Sequence, residues 1–402
     1  MLELKQYLDE VGQSQLLTFY DELSDDKKEE LVNDIKSVDI NKMNELYKNS
    51  YIDEVIDTTK VSPMEYVVGN SLSNKDECIE AGKDFVKNNK YAVLIMAGGM
   101  GSRLGLSMPK GCLELDVNGK KVSLFESYVN QLKKVYKELN VYVNLFVMTS
   151  FLNHDATVNY FEEHNYFDYP KDKIHFFTQD KLPILNPDGK ILLSDKSHIL
   201  YGPNGNGNVY TALKNANLIN YLKNNNIEKV LFVTVDNVMS KIVDYSCIGC
   251  SVLKNSKLVT KTLFKEDGEK KDWVYCLYDN KPFILPGLYQ TDEIKYAQDS
   301  EGNYLYRDIN ITYHIIDTTE IDRYSNIDLK YHRAYKKNKY MDLDGNIIDP
   351  VENNSFKFEQ FIFDAFVYSD NMLLYRVEKD EFCPIKTQED IDYASSKLSE
   401  EE

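Results

Sequence analysis

The stretch that decides the fold is YAVLIMAGGMG, which runs from Tyr91 to Gly101. Its first seven residues are apolar without a break, a pattern typical of a strand that is buried on both faces of a parallel sheet. Glycines follow at once, so we expect the strand to end in a tight turn of open backbone. Ligands of doubly wound α/β proteins bind just beyond the carboxyl ends of such strands. The stretch therefore predicts both a fold class and the place where its ligand binds.

Helix and strand patterns alternate along the residues after this turn. Ser123 and Glu126 form a capping box, and the apolar positions from Leu124 to Leu139 recur at helical spacing. The segments that follow are a strand at 142–149, a helix at 155–164, a strand at 173–178, a helix at 209–222 and a strand at 230–235. This order predicts an α/β domain with a doubly wound, mostly parallel central sheet.

The two flanks of this region have a different character. Residues 1–89 are rich in charge and helical in period, so they predict a helical N-terminal segment. Beyond Leu258 the pattern changes to closely spaced strands, which we expect to be antiparallel and to form part of the pocket wall; they lie at 258–264, 273–278, 283–289 and 372–377. We expect the helical segment to be followed by one large domain at 90–345 and a short C-terminal part at 346–402.

Composition limits the classes of partner. Lys and Arg number 47 and Asp and Glu 65, which gives a net charge of −18 and disfavours nucleic acid and anionic membranes as ligands. The opening MLELKQYLDEVGQSQLL breaks its apolar positions with charges, unlike a signal peptide or a membrane span. Six cysteines are scattered, and those of Cys247-Ile-Gly-Cys250 are interpreted as small buried side chains. We expect a soluble, cytoplasmic protein with reduced cysteines.

Two cations stand in the glycine-rich loop after the first strand. Arg103 and Lys110 supply positive charge, and the glycines let backbone N–H groups approach phosphate oxygens. The loop lacks the Gly-Lys-Ser/Thr end of a Walker motif. Leu104 also occupies the third glycine position of a dinucleotide fingerprint. The loop predicts a phosphate site of another kind.

Two further motifs complete a predicted nucleotide site. The run Pro203–Tyr210 (PNGNGNVY) is glycine-rich and opens a helix, which suits a polar or anionic ligand. The run Val233–Asn237 ends an apolar strand in Asp236. Magnesium is usually held by one or two carboxylates together with phosphate oxygens, so Asp236 is a candidate metal ligand, although a helix N-cap would explain it equally well.

These motifs also resemble a known family. The loop from Leu94 to Lys110 is similar to the signature of eukaryotic UDP-sugar pyrophosphorylases, and residues 90–387 resemble the UDP-N-acetylglucosamine pyrophosphorylases among them. The other matching motifs are Phe176–Pro183, Gly205–Tyr210, Val235–Asn237 with Lys241, Asn310–His314, Phe361–Asp364 and Glu381–Lys386.

The resemblance implies an SGC-type, Rossmann-like nucleotidyltransferase that joins UTP to N-acetylglucosamine 1-phosphate and releases pyrophosphate. It implies that Arg103, Lys110 and Lys386 are catalytic and that Asp236 holds Mg²⁺, with Mn²⁺ as an option. UTP would contact Gly98, Gly99, Gly101, Gln179 and Gly205, and the sugar would contact Asn206, Gly207, Asn310, Phe361 and Phe363. The expected partners are UTP and an N-acetylhexosamine 1-phosphate, without nucleic acid or membrane; a monomer is compatible with the sequence, which leaves the oligomeric state open.

The chemistry needs positioning more than proton transfer. A sugar phosphate is already an anionic nucleophile, so the task is to align two polyanions for attack at the α-phosphorus. The stretch Cys276–Ile294 departs from the family pattern, which leaves a UDP-glucose, UDP-galactose or broad-specificity pyrophosphorylase as the alternative. An NAD-dependent oxidoreductase is contradicted by the glycine loop. A non-catalytic nucleotide-binding protein would not require Arg103, Lys110, Asp236 and Lys386 together.

Overall fold

The computed structural model describes residues 1–51, 56–101, 104–105, 107–265 and 273–401. The α-helices in these residues are α1 (Leu2–Glu10), α2 (Asp25–Ser37), α3 (Ile40–Asn49), α4 (Lys75–Lys87), α5 (Leu124–Leu139), α6 (His154–Glu163), α7 (Val209–Asn215), α8 (Leu218–Asn224), α9 (Tyr245–Leu253), α10 (Asp292–Lys295), α11 (Thr318–Tyr324) and α12 (Gln388–Glu401). No helix in this described part of the chain is long and apolar enough to cross a membrane.

The strands in the same residues are β1 (Val61–Ser62), β2 (Tyr66–Val68), β3 (Tyr91–Met96), β4 (Glu114–Val117), β5 (Lys120–Ser123), β6 (Asn144–Thr149), β7 (Ile174–Thr178), β8 (Lys181–Pro183), β9 (Leu193–Asp195), β10 (His198–Ile199), β11 (Tyr201–Pro203), β12 (Lys229–Thr234), β13 (Leu258–Phe264), β14 (Val274–Tyr278), β15 (Lys281–Leu285), β16 (Asp308–Asp317), β17 (His332–Lys336), β18 (Tyr340–Met341), β19 (Ile347–Ile348), β20 (Ser355–Glu359) and β21 (Met372–Val377).

The chain folds into two compact units, and each is built from separate pieces of sequence. Unit 1 comprises Met1–Val55, Asp180–Asn208 and Leu329–Phe361. Unit 2 comprises Ile56–Gln179, Val209–Asp328 and Ile362–Glu402. Packing thus groups residues that are far apart in the sequence. The contiguous domain bounds 1–89, 90–345 and 346–402 stay a prediction.

A large mixed sheet forms the centre of unit 2. Its main path runs β2-β21-β13-β16-β12-β3-β6-β7, with β1, β14 and β15 joined beside it. β16 runs antiparallel to both of its neighbours, whereas the other pairings along this path are parallel. Every residue of β3 and β6 is buried, as expected for strands covered on both faces. The predicted mixed, mostly parallel sheet is confirmed.

Three predicted elements differ from the structure. The strand expected at 283–289 ends at Leu285, and Gly287–Tyr289 form a 3₁₀-helix. Strand β21 was expected to be antiparallel, but it pairs parallel with both β2 and β13. The single helix expected at 209–222 is two helices, α7 and α8, because Asn217 between them has a φ of +58° and interrupts the helical backbone. Asparagine is one of the few residues that adopts this left-handed conformation readily. The other elements of the alternating region are confirmed within a few residues of their predicted bounds.

Unit 1 contains the first three helices together with small sheets. One sheet has the order β10-β9-β18-β19, and two further pairs are β8 with β11 and β17 with β20. Its core includes Leu16, Leu31 and Ile35 from the N-terminal residues and Leu185 and Phe358 from the later pieces. The helical character predicted for residues 1–89 is confirmed, although β1 and β2 also lie in that range and belong to the sheet of unit 2.

Candidate nucleotide-binding site

The glycine-rich loop follows β3, and the predicted metal ligand Asp236 follows β12, so both lie at the same edge of the sheet of unit 2. β3 and β12 are parallel neighbours, with Met96 opposite Thr234 at their carboxyl ends. Lys110 Nζ lies 2.9 Å from Asp236 Oδ2, and the two side chains are only 17% and 21% exposed. Asp236 caps no helix, because the next helix, α9, is capped by Asp244. The structure therefore brings together two residues that are 126 positions apart in the sequence.

Polar side chains that follow β6 form hydrogen bonds to the backbone carbonyls of the glycine turn at residues 97–99. Ser150 Oγ donates to the Gly98 carbonyl at 2.8 Å. Asn153 Nδ2 donates to the carbonyls of Ala97 at 2.8 Å and Gly99 at 3.2 Å. In the described part of the chain, the N–H groups of Gly98 and Gly99 have no hydrogen-bond partner. The turn therefore uses its carbonyls internally and leaves N–H donors for an anion.

Ser150 and Asn153 were missed by the sequence analysis. Both are buried, and both follow β6, the parallel neighbour of β3. The signal was available, since polar residues directly after a buried strand lie at the edge where ligands bind. Nothing in the local sequence, however, shows that they face the carbonyls of another loop.

Gln179 lies over the first glycine of this turn. It directly follows β7, is buried, and donates its N–H to the Thr149 carbonyl at 3.0 Å. A Cβ at Gly98 would come within 2.1 Å of Gln179 Nε2. A side chain at position 98 would displace the amide end of the Gln179 side chain, so the two predicted UTP contacts are neighbours in the structure.

The C-terminal segment passes next to Asp236 just before Lys386. The Ile385 N–H donates to the Asp236 carbonyl at 3.0 Å. Lys386 is the next residue and is exposed, and its own N–H donates to Asp390 Oδ2 at 2.8 Å. The backbone at Lys386 therefore lies next to Asp236, which pairs with Lys110.

Asn310 belongs to a different part of unit 2 and has a fixed orientation. Its Oδ1 accepts from the Tyr275 hydroxyl at 3.0 Å and from the Thr312 N–H at 2.9 Å. Thr312 has a φ of +54°, in the left-handed region. Phe363 packs on Trp273 with ring centroids 5.3 Å apart. Phe363 belongs to a 3₁₀-helix at Ile362–Tyr368.

The remaining predicted contacts lie in unit 1. Gly205 has a φ of +94°, and the Gly207 N–H donates to the Gln360 carbonyl at 2.9 Å. Asn206 and Gly207 lie in a short 3₁₀-helix at Asn206–Asn208, directly before α7, which confirms that the run opens a helix. Phe361 stacks on His332 with ring centroids 4.4 Å apart.

Some residues singled out in the sequence have other positions. Arg103 lies outside the residues that the structure describes, whereas Gly101 is described and is buried. His314 is fully buried on β16, where burial lowers its pKa to about 3, so it is neutral and part of the core. Tyr210 is also buried, with its hydroxyl donating to the Ile362 carbonyl at 3.0 Å.

A metal ion at this site would need ligands from the substrate as well as from the protein. The described residues contain no group of three or more His, Cys, Asp and Glu side chains that could hold a metal on their own. Asp236 offers a carboxylate beside a loop with free N–H donors. This donor set fits a hard cation that is completed by phosphate oxygens and water.

Comparisons with known proteins show which proteins this chain is similar to. The chain is 32% identical over 389 residues to the UDP-N-acetylglucosamine pyrophosphorylase of Saccharomyces cerevisiae, covering 91% of this chain and 81% of that protein. It is 26% identical over 413 residues to the UDP-N-acetylglucosamine diphosphorylase 2 of Arabidopsis thaliana, covering 97% and 80%. The fold is similar to that of the uridine diphosphate N-acetylglucosamine pyrophosphorylase from Trypanosoma brucei, with a TM-score of 0.80 at 22% identity, covering 98% of this chain and 83% of that one.

The family assignment rests on most of the chain. The sequence model of the family described as UTP–glucose-1-phosphate uridylyltransferase matches residues 38–402, a range that includes the glycine loop, Asp236 and Lys386. The resemblance first noted in single motifs thus extends through both compact units. The chain belongs to the UTP–glucose-1-phosphate uridylyltransferase family.

Proposed function

We propose that this protein transfers UMP from UTP to N-acetylglucosamine 1-phosphate, giving UDP-N-acetylglucosamine and pyrophosphate. The observation that carries the proposal is the cluster of Lys110, Asp236 and Lys386 at the carboxyl edge of a parallel sheet, beside a turn with free N–H donors. The similar proteins from yeast and Arabidopsis are both named for UDP-N-acetylglucosamine. This supports the N-acetylated sugar over the glucose and galactose alternatives.

The two lysines address the main difficulty of the reaction. UTP and a sugar phosphate repel each other, so cations must screen the charge and stabilise the pyrophosphate that leaves. Lys110 and Lys386 supply that charge locally on a protein with a net charge of −18. We assign the same role to Arg103 from its position in the loop. The oxygen of the sugar phosphate attacks the α-phosphorus in line, and no protein nucleophile is required.

Asp236 is the residue proposed to hold Mg²⁺ or Mn²⁺. Its carboxylate pairs with Lys110 at 2.9 Å, and phosphates bound at the glycine turn would lie within its reach. A bound divalent cation supplies charge neutralisation on the phosphate oxygens. Asp236 would hold the cation, and its partner Lys110 would add its positive charge beside the same phosphates.

The binding roles are assigned residue by residue. We propose that Gly98, Gly99, Gln179 and Gly205 surround the uracil and that Gly101 contributes to phosphate binding. We propose that Asn206, Gly207, Asn310, Phe361 and Phe363 contact the sugar. The fixed Oδ1 of Asn310 supports this, because it leaves the Nδ2 group as a donor toward a sugar hydroxyl or acetamido oxygen. The six free and buried cysteines fit a reducing compartment such as the cytoplasm.

The experiment that tests the function is pyrophosphate release from UTP and Mg²⁺. The 1-phosphates of N-acetylglucosamine, N-acetylgalactosamine, glucose and galactose are offered separately, with the Arg103→Ala variant as the blank. We expect the highest kcat/KM with N-acetylglucosamine 1-phosphate. Preference for glucose or galactose 1-phosphate would contradict the proposed sugar, and no release with any of the four would contradict the activity.

A second experiment tests the metal site. Asp236→Asn is expected to require more Mg²⁺ for half-maximal turnover, because an amide is a weaker ligand for a hard cation than a carboxylate. Glu228→Gln is the matched control, since Glu228 pairs with Lys90 at 2.7 Å just before β12 and β3, at the opposite edge of the same two strands. An unchanged metal titration for Asp236→Asn would remove Asp236 from the metal site.

A further inference from the structure

A lysine is buried inside the sheet of unit 2. Lys261, on β13, is 1% exposed, and its Nζ lies 2.7 Å from Asp244 Oδ2 and 2.5 Å from Glu381 Oε2. Burial disfavours the ammonium form, but attraction to Asp244 and Glu381 outweighs it and raises the pKa of Lys261. A buried ion pair adds little net stability over apolar packing, so stability alone does not account for this one.

The two carboxylates serve different parts of the chain. Asp244 accepts from the Cys247 N–H at 3.1 Å and so caps α9. Glu381 is the first residue of the segment 381–386, which ends in Lys386. Its other oxygen, Oε1, lies 3.2 Å from Lys241 Nζ. Through Glu381, the buried lysine is tied to the segment that carries a proposed catalytic cation.

A buried asparagine holds the same segment to the turn that follows β12. Asn237 is 1% exposed. Its Nδ2 donates to the Glu381 carbonyl at 3.1 Å, and its Oδ1 accepts from the Cys383 N–H at 2.8 Å. The Ile385 N–H donates to the Asp236 carbonyl at 3.0 Å. The segment is thus fixed at three alternate residues, and Lys386 follows the last of them.

We propose that Lys261, Glu381 and Asn237 form a latch that fixes residues 381–386 against Asp236 and thereby sets the position of Lys386 at the phosphates. This inference rests on the proposed function, in which Lys386 contacts the phosphates. Lys386 is exposed, so the path of its backbone decides where its side chain can reach. The three latch residues are positioning residues, since they act through Lys386.

The latch is tested without any substrate by amide hydrogen exchange. Lys261→Met would leave two buried carboxylates facing each other and risks unfolding, so Glu381→Gln is the better variant because Asp244 still neutralises Lys261. We expect the amides of Cys383 and Ile385 to exchange faster by about tenfold or more in Glu381→Gln. Asp244→Asn is the matched control, because it removes the other carboxylate of the same lysine and should leave those amides protected. Unchanged exchange in Glu381→Gln would overturn the latch.

Turnover then tests whether the latch acts through Lys386. Misplacing a group that aligns reactants by about 1 Å can cost about 100-fold in rate, so we expect Glu381→Gln to lower kcat by about 10- to 100-fold with KM for UTP nearly unchanged. In a Lys386→Ala background the same change should have no further effect. Additive losses would overturn the positioning role. If the protein proves inactive with all four sugar phosphates, the exchange result still decides the latch by itself.

Discussion

The two glycine-rich runs look alike in the sequence, but their glycines have different surroundings in the structure. No described atom lies within 4 Å of a Cβ placed at Gly99, so none of the residues that the structure describes excludes a side chain there. A Cβ at Gly207 would lie 2.6 Å from the backbone carbonyl carbon of Phe361. Gly99 therefore leaves room for something outside the chain, whereas Gly207 allows the chain to pack against itself.

The comparison shows what a glycine motif can and cannot indicate. A glycine that its own protein does not require marks a backbone that a ligand can approach closely. A glycine required by packing can lie beside a ligand, but its presence is explained without one. The loop at Gly98–Gly101 is therefore stronger evidence for a nucleotide site than the run at Gly205–Gly207.

The largest expected effect is a loss of turnover when a cation of the first glycine-rich loop, Lys110, is replaced. Lys110→Met should lower kcat by about 1000-fold, since a preorganised charge at the reacting phosphates contributes about 4 kcal/mol to the transition state. The thermal midpoint should change little. Lys90→Met is the matched control, because Lys90 pairs with Glu228 at the amino edge of the same strands and should keep full turnover. Normal turnover by a folded Lys110→Met protein would contradict its role.

The second effect is expected at Gly207. Gly207→Ala should lower the free energy of unfolding by about 2–3 kcal/mol, because the added Cβ can be accommodated only by moving backbone at Gln360 and Phe361. Urea unfolding followed by circular dichroism measures the change. A stable Gly207→Ala protein would show that the second run is as open as the first, and would erase the distinction between them.

The third expected effect is a loss of stability when Asn153, which donates hydrogen bonds to the first glycine-rich loop, is replaced. Asn153→Ala should lower the free energy of unfolding by about 2 kcal/mol, because the carbonyls of Ala97 and Gly99 lose a donor in a buried position. Asn88→Ala is the control, since Asn88 also donates to a backbone carbonyl, that of Asp84, but is exposed. Equal losses in chemical denaturation would mean that Asn153 gives the turn no special support.

The smallest effect is expected from the matched glycine substitution. Gly99→Ala should leave the thermal midpoint unchanged and lower kcat/KM for UTP by about tenfold, because the methyl group would occupy space proposed for the nucleotide. Steady-state kinetics with varied UTP measures it. Unaltered kinetics would show that UTP does not approach this glycine.

Local patterns predicted the sheet that carries the site better than they predicted the direction of its distant strands. β3, β6, β7 and β12 each have an apolar run of their own, and their order fixed which residues would meet at the carboxyl edge. The direction of β21 depends on pairing with β2 and β13, which lie far away in the sequence, and no local pattern encodes it. The interleaved pieces of unit 1 were missed for the same reason.

The candidate site also has one part that the sequence could predict and one part that it could not. Lys110 and Asp236 could be predicted because each follows a buried strand. Their contact with the segment 381–386 could not, because it depends on the Asn237 side chain and on a buried charge at Lys261. Buried polar residues in a strand pattern give no sign of the partner that satisfies them.

The place of β21 in the sheet has a consequence for how the protein is made. β21 lies between β2 and β13, so unit 2 cannot complete its sheet until residues 372–377 have left the ribosome. At about 5–20 residues per second, β2 waits on the order of tens of seconds for its partner. During that time the edges of β2 and β13 are unpaired templates for aggregation. We therefore expect the yield of active protein to depend on chaperone supply and on uninterrupted translation of the last part of the message.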